Sequence, residues 1–160
     1  MQISTYFYKF ISNFTDRKTP TMNFTKYVLP VVVGSAAGML LIKMGELGLG
    51  KIYTLPVVTD LNNLEPLKAA ILALPTSAFL LLLGNYVFAS LVSGIASTLV
   101  IKGTSSIPAI ISGSILTIGA IANLMRIPHP LWFSIANLII YIPFAWLGYV
   151  ALRKKQIINA

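Results

Sequence analysis

The sequence predicts an all-α integral membrane protein: a four-helix transmembrane bundle, with a short interfacial helix before the second span and an amphipathic N-terminal helix. Three observations lead there. Only 10% of the 160 residues are charged while 56% are hydrophobic, with mean hydropathy +0.82; a soluble domain carries about 25% charged residues to wrap its core. The charged residues fall in short groups separated by long uncharged intervals, and such intervals need lipid around them. Tryptophans stand near both ends of the last interval, as interfacial anchors do.

Residues 1–26 form a cytoplasmic segment ahead of the first span. Apolar and polar residues are mixed there, so it does not read as a secretory signal. Ile3, Phe7, Phe10, Ile11 and Phe14 share one face at helical spacing, with Lys9, Arg17 and Lys18 nearby. That pattern predicts a helix lying on the membrane surface; a disordered tail is the alternative. Met22 is an alternative start, because the chain from there onward already supplies a basic flank. Asn13 and Asn23 each open an Asn-Phe-Thr triplet, a formal glycosylation signal that a cytoplasmic location leaves inert.

The four-helix domain covers 27–152. The first span, about 27–43, runs from Tyr27 between Lys26 and Lys43; both lysines can snorkel to extend a slightly short apolar run. The next uncharged stretch, Ala69 to Ile101, would make about 50 Å of helix, too long for one crossing of a ~30 Å core. Pro75 divides it into a short helix, Leu64 to Leu74, and a true span over 76–101, and Glu65 followed by Pro66 fits the short helix's start. The third span lies within 105–125 and the fourth within 130–152, before the basic tail 153–160.

Four crossings put both termini and the Lys102 loop on one side. That side holds Lys9, Arg17, Lys18, Lys26, Lys102, Arg153, Lys154 and Lys155 against Asp16 alone, whereas on the other side Lys43, Lys51 and Lys68 are balanced by Glu46, Asp60 and Glu65, with Arg126 and His129 in the second loop. The asymmetry predicts cytoplasmic termini. Trp132 and Trp146, about 21 Å apart at helical rise, mark the two interfaces, and Tyr149 reinforces the cytoplasmic one. The formal net charge of +8 is explained by these basic flanks beside anionic lipid. Scattered among helix ends, they form no nucleic-acid surface. With no cysteine, disulfides and thiolate chemistry are excluded.

Small residues Gly34, Ser35, Ala36, Ala37 and Gly38, the segment TDLNNLEPLKAAI, and IPHPLWFSIANLIIYIPFAWLGY in the last helix carry a resemblance. From Gly34 onward the chain resembles a group of uncharacterised small bacterial four-span inner-membrane proteins. The resemblance implies fold and topology and no activity. It also implies a histidine at position 85 and an aspartate at 137, where this chain has Asn85 and Asn137; an ionisable pair there is absent.

The four acids, Asp16, Glu46, Asp60 and Glu65, are all expected in tails or loops, none at membrane depth. Gly45, Gly48 and Gly50 make a flexible segment around Glu46. Asn85, Asn123 and Asn137 are the strongest polar residues within spans, and each should face the bundle or an interface, either bonding between helices or lining a solute site. Gly34 with Gly38, and Ser90 with Gly94, make small-xxx-small pairs expected to pack within the bundle rather than between copies. Ser93 and Ser97 continue the second pattern. His129, between two prolines, reads as a surface turn residue; no cofactor or metal site is expected.

The function expected first is a non-enzymatic accessory or scaffold subunit with a protein partner or a homo-oligomer, motivated by the lack of buried ionisable groups and by Tyr53, Leu55, Pro56, Val57 and Val58, an apolar loop patch that is either a recognition surface or a lid. The second is a small carrier or channel for a neutral or amphipathic solute using Asn85 and Asn137. An enzyme comes third, to be revived by a pocket joining Glu46, Asp60 and His129.

Overall fold

The computed structural model describes residues 24–56, 64–101 and 105–158, and within them the chain is wholly helical. The helices are α1 (Phe24–Ile52), α2 (Glu65–Leu72), α3 (Thr76–Val100), α4 (Ile107–Arg126) and α5 (Leu131–Ile158). Four of them, all but α2, are long and apolar enough to cross a membrane. The surface helix expected at the N-terminus lies outside the described residues, as do Val57, Val58, Asp60 and Lys102.

Proline chemistry sets most of the boundaries. Pro66 stands in the first turn of α2 and Pro108 in that of α4, where a missing N–H costs nothing because the first turn has no acceptor for it. Pro75 is extended at ψ 156° and pushes Leu74 out of helical geometry, so α2 ends and α3 begins afresh. Pro128 and Pro130 hold the turn between α4 and α5.

The first span corrects the expectation. Helix α1 does not stop near Lys43; it runs unbroken through Gly45, Glu46, Gly48 and Gly50 to Ile52. The glycines are held in helix, with Lys43 and Glu46 paired along it at 2.7 Å and Gly45 pressed against the Asn85 side chain. The helix closes with the Leu55 N–H donating to the Gly50 carbonyl (2.9 Å) and Thr54 at φ 52°, the left-handed position usually given to glycine. Helix α5 likewise continues past residue 152 to Ile158.

Helices α3 and α4 touch each other, and each touches both α1 and α5, while α1 and α5 do not meet among the described residues. Helix α3 is therefore the most enclosed, with ten buried residues. Their sizes change along its length: after Ala78 come Phe79, Leu82 and Tyr86 towards its start, then Ala89, Ser90, Ser93, Gly94, Ser97 and Thr98. Small residues let backbones approach closely, and they do so at the end of the bundle that carries the chain termini. A Cβ on Gly94 would overlap the Ala145 carbonyl, and one on Gly148 the Leu91 carbonyl. One on Gly34 would come within 2.7 Å of both Ser97 and Ser112, and one on Gly38 within 3.0 Å of Ser93.

Candidate functional site

At the opposite end, where α1 leads into the 53–75 connection and α4 turns into α5, large side chains take the place of the glycines and serines. Phe79, Tyr86, Phe133 and Tyr141 form a buried aromatic stack, with centroids 5.1 Å apart for Phe79–Phe133 and 6.0 Å for Tyr86–Tyr141. His129 stacks on Phe133 at 5.1 Å, and Trp132 meets Phe79 edge-on. Space remains between this stack and α1, and it forms two clefts.

The inner cleft, about 340 Å³, lies among α1, α3, α4 and α5; its polar lining is Lys43, Glu46, Tyr86, Asn123, Asn137 and Tyr141. The larger cleft, about 670 Å³, opens beneath α2, which roofs it with Leu67 and Ile71; Phe79 and Leu82 lie on its wall. Lys43, Glu46, Tyr86 and Asn123 belong to both clefts. Polar groups thus gather on the shared wall, and apolar surface makes up much of the rest.

Glu46 is at the centre of this arrangement. Its side chain is 28% exposed; Tyr86 donates its hydroxyl to one carboxylate oxygen (3.2 Å) and Lys43 its ammonium to the other (2.7 Å). Tyr86 lies ten residues into α3, about 15 Å from the helix start at ~1.5 Å per residue. Glu46 itself lies within α1, six residues before its end at Ile52, with its carboxylate part-buried against α3, which overturns the expectation that all four acids occupy tails or loops. Sequence reasoning missed Glu46 because Lys43 and the three glycines read as the end of a span; its spacing of three from Lys43, a favourable helical ion-pair spacing, was the signal available.

The asparagines separate into different roles. Asn137 is buried and accepts the Tyr141 hydroxyl at 2.7 Å, and with Asn123 it lines the inner cleft. Asn85 does not line either cleft; it turns to α1 and donates to the Ile42 carbonyl at 3.4 Å, filling the gap that Gly45 leaves. The serines of α3 serve packing: Ser90 donates to the Tyr86 carbonyl (2.7 Å) and Ser97 to the Gly94 carbonyl (2.9 Å). Gly34, Gly38, Ser90 and Gly94 are all buried inside the bundle. Trp132 stands at the start of α5 and Trp146 near its middle, both partly exposed, and Arg153 sits 5.9 Å over the Tyr149 ring.

His129 is half-buried and lines the larger cleft. Its Nδ1–H donates to the Ile127 carbonyl (2.7 Å), which leaves Nε2 as the unprotonated nitrogen of the neutral ring. Burial pushes its pKa below the usual imidazole value, against smaller opposing effects from that carbonyl and Glu46. Glu46 and His129 thus share a cleft, each bonded to other partners; Asp60, the third member of the catalytic grouping considered above, lies outside the described residues. No three His, Asp or Glu residues could jointly hold a metal ion among the described residues. Tyr53 packs against the core, and Leu55 and Pro56 line the larger cleft.

Comparison with family models, curated proteins and solved structures found no match.

Proposed function

We propose that the protein is a four-span integral membrane protein of a bacterial inner membrane, with cytoplasmic termini, acting as a small carrier for an amphipathic solute bound around Glu46. The observation that carries this reading is a hydrogen-bonded carboxylate inside the bundle, on the wall shared by two clefts. An ionisable side chain at membrane depth is costly and is retained where a substrate or ion pathway uses it. Apolar walls with a few convergent polar groups suit a solute that has a hydrophobic body and a polar head.

The site open at one end and the close glycine and serine packing at the other correspond to a carrier resting with its cavity towards the outer face. An accessory or scaffold role has less support, because Tyr53 packs against the core, Leu55 and Pro56 line the larger cleft, and the small-residue pairs are used within the chain. The test is uptake of labelled amphiphiles into proteoliposomes, with Gly119→Leu to fill the inner cleft at a position where added atoms meet nothing within 4 Å. Saturable uptake by the native protein, lost in Gly119→Leu, is the expected result. Uptake equal to that of protein-free liposomes for every amphiphile removes the carrier reading. Reporter fusions placing the two termini on opposite sides remove the four-span topology.

A further inference from the structure

Resting on the solute reading above, we infer that the solute is an amphipathic cation, an amine or quaternary ammonium, whose head displaces Lys43 from Glu46.

The two partners of the Lys43–Glu46 pair are not equivalent. Glu46 is held: its side chain is mostly withdrawn from the surface, and Tyr86, itself buried on α3, donates to it. Lys43 is movable: its side chain is 74% exposed and reaches the carboxylate on a long flexible stem. Displacing Lys43 leaves a fixed negative charge facing both clefts, and a cation restores the balance. An anion would have to take Lys43 instead, stranding Glu46 with one hydroxyl donor and sitting beside a like charge.

The rest of the inner cleft agrees. Beyond Lys43 and Glu46 its polar lining consists of the hydroxyls of Tyr86 and Tyr141 and the amides of Asn123 and Asn137, with no second cationic group to receive an anion. The rings of Tyr86 and Tyr141 belong to the same lining, and aromatic faces attract an ammonium through their quadrupole. Lys51, on the rim of the larger cleft, is exposed, and Lys68 is paired with Glu65 (2.9 Å). The larger cleft, with Leu67, Ile71, Phe79 and Leu82, receives the hydrocarbon body. Lys43 then acts as a built-in competitor that keeps the carboxylate compensated while the site is empty.

The competition gives opposite signs for two neighbouring substitutions. Full-length protein in zwitterionic nanodiscs is titrated with radiolabelled octyltrimethylammonium, octyl glucoside and octanoate, and binding to empty nanodiscs is subtracted. Saturable binding of octyltrimethylammonium is expected to be the tightest, weakened about ten-fold or more by Glu46→Gln and tightened several-fold by Lys43→Gln, as a charge pair worth over ~1.4 kcal/mol requires. Equal binding of all three probes with Glu46→Gln indifferent overturns the cation assignment and leaves the solute site standing, as does preferential binding of octanoate or octyl glucoside. No saturable binding of any probe overturns both. Should Glu46→Gln fail to fold, Lys43→Gln decides: unchanged or weakened binding of octyltrimethylammonium defeats the competition.

Discussion

The two ends of the bundle are built from the same four long helices, yet one is closed and the other holds two clefts. Near the termini, Gly34, Gly94 and Gly148 bring backbone against neighbouring side chains and carbonyls, and no room is left for a further atom. Near the 53–75 connection the large rings buried on α3 and α5 are Phe79, Tyr86, Phe133 and Tyr141. Rings fill space beside α5, and the gap left beside α1 is lined by Asn137 and Glu46. Side-chain volume along α3 therefore decides where the molecule is solid and where it can receive something, while hydrophobicity is nearly uniform from helix to helix (mean hydropathy 1.8 to 1.9).

The largest expected effect tests that contrast directly. Gly94→Ala forces a methyl onto the Ala145 carbonyl and should cost about 3 kcal/mol, at the upper end of overpacking penalties. Gly119→Ala makes the same chemical change facing the inner cleft and should stay within about 0.5 kcal/mol. Thermal unfolding of both variants in one detergent measures the difference; equal losses would break the distinction between closed and open ends. Next comes Tyr86→Phe, which removes the donor to Glu46 from a buried position and should cost about 1.5 to 3 kcal/mol, as for a hydrogen bond to a charged group. No loss of stability in the same measurement would mean that the carboxylate is not held.

Thr54→Gly should act in the other direction. A β-branched residue at φ 52° is strained, and glycine relieves about 1 kcal/mol at such a position; a lower melting temperature would show the Thr54 side chain contributing more to the cleft rim than its backbone costs. The gentlest effect is a slope with pH. His129 has a lowered pKa in the folded chain because burial disfavours its charged form, so protons bind the unfolded chain more readily. Its contribution is complete above the ordinary imidazole value of about 6.5 and is lost as pH falls through the lowered folded value. His129→Gln should flatten the decline in stability between those two values, and an unchanged profile would assign the decline to other groups.

Much of the architecture was legible in the residues. Charge spacing and Pro75 located the four long helices and the short α2, since proline and charged groups act locally and leave the same mark in any context. The bounds of α1 were not, because Lys43, Glu46 and three glycines carry the local marks of a helix end. Contacts overrode them: Asn85 packs against Gly45, and Tyr86 reaches Glu46 from forty residues away. The candidate site was half legible. Asn137 was singled out and lies in the inner cleft; Asn85 was singled out with it but bonds α1, and no local pattern distinguishes an amide facing a cleft from one facing a backbone carbonyl.

Composition, the intervals between charges and the positions of proline were sufficient for the number and order of the long helices, because each of these acts through the nearest few residues. Which charge would be drawn inside, and which of three asparagines would meet it, depended on how α1 leans on α3 and how the rings of α3 and α5 stack. Those are contacts between residues far apart in the chain, and their geometry follows from side-chain volumes fitted against one another in three dimensions.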